Sequence, residues 1–439
     1  MNRKFTLIII LASISLLSLF SDKLNFSDNI LPKTTSHFNS SDISWMLLSS
    51  AMVLIMTPGL GFFYGGMVRK KNVISTILQS FIAMTVISVI WVIIGFGLSF
   101  GPSIGGVIGN PLPYLFFNNV DTKTAWPLAP TIPFLLFSVF QMKFAVITPA
   151  LISGAFAERI RFWGYILFIT FFSIFIYSPL AHMVWHPDGI LFKYGILDFA
   201  GGAVVHMSAG WAALAGAIFL NERKEKNHQP SRITYVILGT SLLWFGWFGF
   251  NAGSAMSSGT VAVQAFVNTT VASASAAIAW GFLEKINGRK ISAMGVCIGS
   301  VVGLVAITPA AGFVTVSHSA LIGIIAVTIS SFMVHLRSKT NIDDTLDVFP
   351  CHGVGGLTGM ILTAVFANPQ INSAVTEPGL FYGHVHLFLK HIIALFGISI
   401  FAFFGSYFLL YITNLISPLR VTEEDEMEGL DISQHGETL

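Results

Sequence analysis

Charge is what this sequence most lacks. Of 439 residues, 10% are charged, 23 Lys and Arg against 21 Asp and Glu, for a net charge of +2. Soluble domains carry about 25% charged residues. A shortfall of that size excludes a water-solvated globule, and the near-neutral balance excludes a nucleic-acid surface. Cysteine is equally scarce. Cys297 and Cys351 are the two, each inside an apolar stretch, which excludes a disulfide framework and a cysteine-based zinc site. No nucleophile–base pair and no metal-ligand spacing stands out, so neither a hydrolytic enzyme nor a cofactor or metal is expected. What is plentiful is apolar: 54% of residues are hydrophobic, with 40 Phe and 40 Gly. In membrane bundles, glycine lets helix backbones approach closely.

Met1, Asn2, Arg3 and Lys4 precede an apolar run from Phe5 to Phe20. A positive head followed by a short apolar core is a secretory signal pattern. The run falls short of the ~20 residues a full span needs, so residues 1–22 are read as a signal peptide, although no Ala-x-Ala pattern precedes Asp22. Residues 23–42 are polar and read as an external segment. About eleven apolar segments follow, near 43–66, 72–100, 131–156, 162–182, 199–220, 232–251, 261–283, 291–309, 317–337, 349–367 and 391–416. Each is long enough, or nearly so, to cross a ~30 Å hydrocarbon layer as a helix. The expected fold is an all-α integral membrane domain over 43–417, followed by a polar, acidic tail over 418–439 that carries Glu423, Glu424, Asp425, Glu426 and Glu428.

Lys and Arg set the orientation. One set of loops carries Arg69, Lys70, Lys71, Arg159, Arg161, Arg223, Lys224, Lys226, Arg232, Lys285, Arg289, Lys290, Arg337 and Lys339. The alternate loops carry only Lys123, Lys193 and Lys390. The bundle is therefore expected to start outside a cell (inner) membrane and to end with its tail in the cytoplasm. A faint internal repeat accompanies this. Ile147-Thr148-Pro149-Ala150 recurs as Ile307-Thr308-Pro309-Ala310, and Asp198 precedes His206 by the same interval at which Asp344 precedes His352. Five helices form an odd unit, so two such halves, with one C-terminal helix added, must sit inverted in the membrane. That symmetry would bring the two His toward each other near the midplane.

Ionisable groups within spans are costly and mark function. Here they are Lys143, His206, His335 and His352. Neutral imidazoles donate from one nitrogen and accept at the other. Two in contact could share a proton and hydrogen-bond a small amine; the plain alternative is a pair of core His bonded to backbone carbonyls. His335, beside Arg337, reads as an interface residue. Asp198 stands where an N-cap is expected, and its charge would also add negative potential beneath an external mouth. Phe140 and Phe144 share a helix face at i, i+4 spacing. Trp185 closes the fourth segment, and Trp247, Phe250 and Ser254 close the sixth. Aromatic faces attract cations and a hydroxyl accepts from an ammonium N–H, so these groups could form a small cation site; the alternative is an interface belt with core packing. Lys143 interrupts the pattern. Snorkelling to the external headgroups would remove it from the site, whereas facing the vestibule it would oppose a cation.

These residues resemble the Amt/Mep/Rh ammonium transporters, the Amt branch in particular, over nearly all of 45–435. The likeness rests on Phe63-Tyr-Gly-Gly-Met-Val-Arg69, Gly154-Ala-Phe-Ala-Glu-Arg-Ile-Arg161, Ala181-His-Met-Val-Trp185, Asp198-Phe-Ala-Gly-Gly202, Gly246-Trp-Phe-Gly-Phe-Asn-Ala-Gly-Ser254 and Thr308-Pro309. It implies ammonium transport and nitrogen uptake by a homotrimer with one pore per subunit. It further implies external recruitment of ammonium, or its analogue methylammonium, by Phe140, Phe144, Trp185 and Ser254, with a gate of Phe144 over Phe250. Trp247 and Thr308 would line the pore, His206 and His352 would be its paired histidines, and Asp198 would be the acidic residue below the recruitment site. The tail around Glu428–Gly436 looks like the family segment that couples to PII-type signal proteins, with Met427 where some relatives carry a basic residue. The function expected is conduction of ammonia, left by deprotonation of ammonium at the mouth, with the two His able to relay the proton. The alternatives are an ammonium sensor that signals through the tail and an Rh-like neutral gas channel.

Overall fold

The computed structural model describes residues 12–16, 18–19, 37–225 and 229–439. The signal peptide expected at 1–22 and the external segment expected at 23–42 fall largely outside them. Eleven apolar helical segments follow in order: α1 Ser40–Met67, α2 Lys70–Phe100, α3 Phe134–Phe156, α4 Phe162–Tyr194, α5 Gly202–Leu220, α6 Ile233–Ala252, α7 Thr260–Ile286, α8 Ala293–Ile307, α9 Val316–Arg337, α10 Phe349–Phe366 and α11 His386–Ile416. A short acidic helix, α12 Glu423–Glu428, lies in the tail. Two two-residue strands, β1 Ser103–Ile104 and β2 Ile108–Gly109, pair in the loop after α2.

Most boundaries fall within a few residues of the hydropathy reading, and the exceptions have local causes. α8 stops at Ile307, although Thr308 still has helical backbone angles, because Pro309 has no N–H with which to continue the hydrogen-bond ladder. Its 15 residues rise only ~22 Å. α11 begins at His386 rather than 391 because Lys390 is helical; its Nζ meets Glu377 at 2.5 Å, so the charge does not end the span. α4 is interrupted at 186–189 after Trp185 before a last turn, Ile190–Tyr194.

The packing repeats with an offset of five helices. α1 packs on α3, α2 on α3 and α4, and α3 on α5; correspondingly α6 packs on α8, α7 on α8 and α9, and α8 on α10. Because each half crosses an odd number of times, equal packing in both requires opposite directions. α1 and α6 join the halves, and α11 lies outside the repeat against α4, α5 and α10.

The halves approach closely where α5 crosses α10. A Cβ added at Gly210 would lie 2.1 Å from the Gly353 nitrogen, so no other residue fits at that crossing. Both helices open in π-helical turns, Gly202–Met207 and Phe349–Val354, and His206 and His352 lie within them. Such turns recur at functional sites.

The basic ends of the helices are tied together rather than solvated singly. Glu158, wholly buried, meets Arg69 at 2.7 Å and Arg223 at 2.8 Å, and Arg223 also meets Asp343 at 2.8 Å. Burial works to raise the Glu158 pKa, but the Arg69 hydrogen bond and the two guanidinium charges outweigh it and hold the value at about 2. The tail docks on this surface. Arg420 donates to the Leu220 and Glu222 carbonyls and meets Glu426 at 3.0 Å, while Asp431 caps α2 by accepting from Ile74 and Ser75 N–H at 3.1 and 2.8 Å.

Candidate functional site

Asp198 is the cap that builds the site. Its carboxylate accepts from the N–H groups of Gly201, Gly202, Ala203 and Val204 at 2.6–3.3 Å. These are the unpaired donors of the α5 N-terminus, reached through Gly201 at φ +116°. Burial raises the Asp198 pKa and the four N–H donors pull it back. The same loop fixes Trp185, whose indole N–H donates to the Asp198 carbonyl at 3.0 Å.

Above α5, aromatic rings converge from three helices. Phe144 on α3 meets Phe140 edge-on at 5.0 Å, Trp185 edge-on at 5.9 Å and Phe250 on α6 at 4.2 Å between centroids. Phe144 and Phe250 are both buried. Phe140, also buried, packs against the backbone at Gly253, where a Cβ would lie 2.9 Å from its ring. Ser254 follows, half-buried, with its hydroxyl donating to the Phe250 carbonyl at 2.8 Å; the oxygen keeps its lone pairs free to accept.

Below the Phe pair lies a narrow cavity lined by His206, His352, Trp247, Phe250 and apolar side chains from α1, α3, α6 and α8. Its space for a water-sized molecule is about 10 Å³, at the threshold for one water. The imidazoles touch through their Nδ1 atoms at 3.3 Å, with rings 5.4 Å apart and nearly parallel. One Nδ1 must carry the hydrogen and the other must accept it, so the two outer Nε2 atoms have opposite roles. The His206 Nε2 is buried and has no hydrogen-bond partner among the described residues. Trp247 stacks on His206 at 5.4 Å and its indole N–H donates to the Thr308 hydroxyl at 2.9 Å. Thr308 therefore stands behind Trp247 and holds it, rather than lining the cavity.

Phe140, Phe144, Trp185, Phe250, Trp247, His206 and His352 are linked by ring contacts, Ser254 by its bond to the Phe250 carbonyl and Thr308 by its bond to Trp247. Lys143 stands apart from them. With Leu135 and Val139 it forms the partly exposed stripe of α3, which runs outward, whereas Phe140 and Phe144 on another face are buried. Its Nζ lies 4.0 Å from the Met142 sulfur. His335 is exposed near the end of α9, as an interface residue should be. Two features escaped sequence reasoning. The basic loop residues are bound into the Glu158 network, for which the one signal was a glutamate inside the Gly154–Arg161 motif. His182 and His186 stack at 4.3 Å beneath the loop after α2, where His182 Nε2 lies 2.7 Å from the Ser103 hydroxyl; their i, i+4 spacing was legible.

Comparison with known proteins decides the family. Residues 44–439 match the model of the Ammonium Transporter Family. The chain belongs to that family. An Ammonium transporter of Bacillus subtilis is 45% identical over 401 residues, covering 90% of this chain and 97% of that protein. Ammonium transporter Amt1 of Archaeoglobus fulgidus is 39% identical over 402 residues, covering 91% and 99%. The crystal structure of Saccharomyces cerevisiae Mep2 superposes with a TM-score of 0.83 at 32% identity over 89% of each chain. A structure described as a Sensor Amt Protein gives 0.81 at 29% identity over 90% and 98%. This ammonium transporter is therefore a multi-pass membrane protein, and its family is one of carriers, not enzymes.

Proposed function

We propose that this transporter takes up ammonium, strips it of its proton at the Phe144–Phe250 gate, and passes neutral ammonia along the cavity past His206 and His352. The observation that carries this reading is the cavity: about 10 Å³, apolar, with two touching imidazoles as its ionisable lining. A potassium ion, similar in size and charge, cannot avoid the cost of desolvation there. Ammonium can, because burial favours the neutral amine.

The roles follow. Phe140, Phe144, Trp185 and Ser254 hold the cation, by ring faces and a hydroxyl acceptor, over the negative end at Asp198. The unpartnered His206 Nε2, in the tautomer that leaves its lone pair free, accepts the proton that ammonium gives up. The His206 Nδ1 hydrogen then moves to His352 Nδ1, and His352 Nε2–H releases a proton onward, while the ammonia left behind hydrogen-bonds along the pair. Trp247, held by Thr308, forms the wall. The Lys and Arg ends lie in the cytoplasm and the mouth outside a cell (inner) membrane. The assembly is a homotrimer with one pore per subunit, and the docked tail, 418–439, is the surface for a PII-type signal protein. Deleting 420–439 should abolish capture of such a partner in a pull-down; capture retained would refute a docking tail.

Electrophysiology on a solid-supported membrane, with ammonium, methylammonium and potassium in turn, tests the reading. Currents with the first two and none with potassium are expected. A potassium current comparable to that of ammonium overturns it. The likeness to a Sensor Amt Protein favours a second reading, ammonium sensing through the tail, which requires cation binding without flux in the same assay. Flux without steady current would instead indicate a neutral gas channel.

A further inference from the structure

Away from the pore, an open groove of about 640 Å³ runs between α4 and α11. Leu180, Met183 and Ile190 form one wall, and Ile393, Gly397 and Phe401 the other. From Ile393 to Phe401 the helix rises ~12 Å, so the groove runs from the end of the span toward its middle. Its floor is open by sequence: a Cβ at Gly397 would meet nothing within 4 Å. Ile190 and Ile393 are 53% and 62% exposed, an apolar surface with no covering element among the described residues.

The rim of this groove is charged in a particular way. Lys193 pairs with Asp188 at 2.7 Å, and Lys390 pairs with Glu377 at 2.5 Å. Lys390 reaches the chain two residues after Lys193: a Cβ at Gly195 would lie 3.7 Å from the Lys390 Nζ. Tyr194, 40% exposed, stands between groove and rim, where an amphipathic ring anchors at the interface. The rim therefore presents two ammonium groups and two carboxylates, with no net charge. An anionic headgroup would gain from the lysines and lose to the carboxylates. A headgroup with a phosphate and a primary ammonium satisfies both: the lysine Nζ atoms donate to the phosphate, and the headgroup ammonium donates to Asp188 and Glu377.

We propose that this groove binds one outer-leaflet phospholipid of the phosphatidylethanolamine type, with an acyl chain along Ile393–Phe401 and its headgroup across the two ion pairs. Native mass spectrometry of the purified full chain, titrated separately with phosphatidylethanolamine and phosphatidylglycerol, tests it. The wild type should retain one phosphatidylethanolamine per protomer in preference to phosphatidylglycerol. Gly397→Phe, which fills open space, should lower that occupancy about tenfold with unchanged ammonium current. A double variant, Asp188→Ala with Lys193→Ala, changes exposed side chains only and should erase the preference between the lipids. Undiminished phosphatidylethanolamine in Gly397→Phe, or a preference for phosphatidylglycerol in the wild type, would overturn the proposal. So would a preference that survives the double variant, which keeps the test decisive should Gly397→Phe fold poorly.

Discussion

The two histidine segments are the same device placed in opposite electrostatic settings. In each, an aspartate eight residues before the His caps a helix that opens in a π-helical turn. Asp198 accepts from four N–H groups and takes part in no ion pair of the described residues. Asp344 accepts from two, at Val348 and Phe349, and lies within the field of Arg337 and Arg159. Its neighbours Asp343 and Asp347 are themselves paired with Arg223 and Arg337. The backbone device is thus symmetric and the charge around it is not. One end keeps an uncompensated carboxylate near the aromatic mouth; at the other, arginines cancel the carboxylates. On the proposed reading, that asymmetry favours a cation at the first end over the second.

The largest effect should come from the cap that stands without arginines. Asp198→Ala leaves four buried N–H groups unpaired, each costing about 1–3 kcal/mol, and should abolish both folded yield in size-exclusion profiles and ammonium current. Asp344→Ala leaves two and should retain measurable folded protein; equal collapse of both variants would break the contrast. Next, His206→Ala combined with His352→Ala should abolish ammonium current or admit potassium, a change of at least about tenfold in the current ratio. Wild-type currents with potassium still excluded would refute the relay.

The arginine-rich end offers a stability test. Glu158→Gln breaks a buried pair and should cost about 3–5 kcal/mol, read as a lowered unfolding midpoint in detergent. The Glu158 pKa of about 2 lies below the ~4.3 of an unfolded chain. Its stabilisation is therefore complete above ~4.3 and lost as pH falls toward 2. The wild type should lose stability across that window, and the variant should lose correspondingly less. The smallest effects belong to the mouth. Trp185→Ala and Ser254→Ala should each weaken apparent ammonium affinity about 3- to 10-fold, in keeping with cation–π energies of about 0.5–2 kcal/mol, and leave maximal current nearly unchanged. An unaltered affinity in both would remove the external cation site.

The site was legible to the extent that its motifs are local. The Asp198 cap, the aromatic residues and the two histidines each announce themselves by residue type and near spacing. Thr308 was misjudged in detail, because whether a side chain lines a cavity or stands behind its wall depends on which neighbour intervenes, here the Trp247 ring. The ion network around Glu158 joins Arg69, Arg223 and Asp343. The loops carrying them were legible as basic, which gave an expected orientation, but not as mutually neutralising.

Hydropathy and the alternation of Lys and Arg between loops were enough to determine that the chain is immersed in a bilayer as about eleven helices, because the cost of burying charge is felt residue by residue. Only the folded bundle decided that His206 and His352, 146 positions apart, touch. That contact rests on Gly210 meeting Gly353 where α5 crosses α10. Packing of this kind belongs to pairs of surfaces, and no stretch of chain carries it alone.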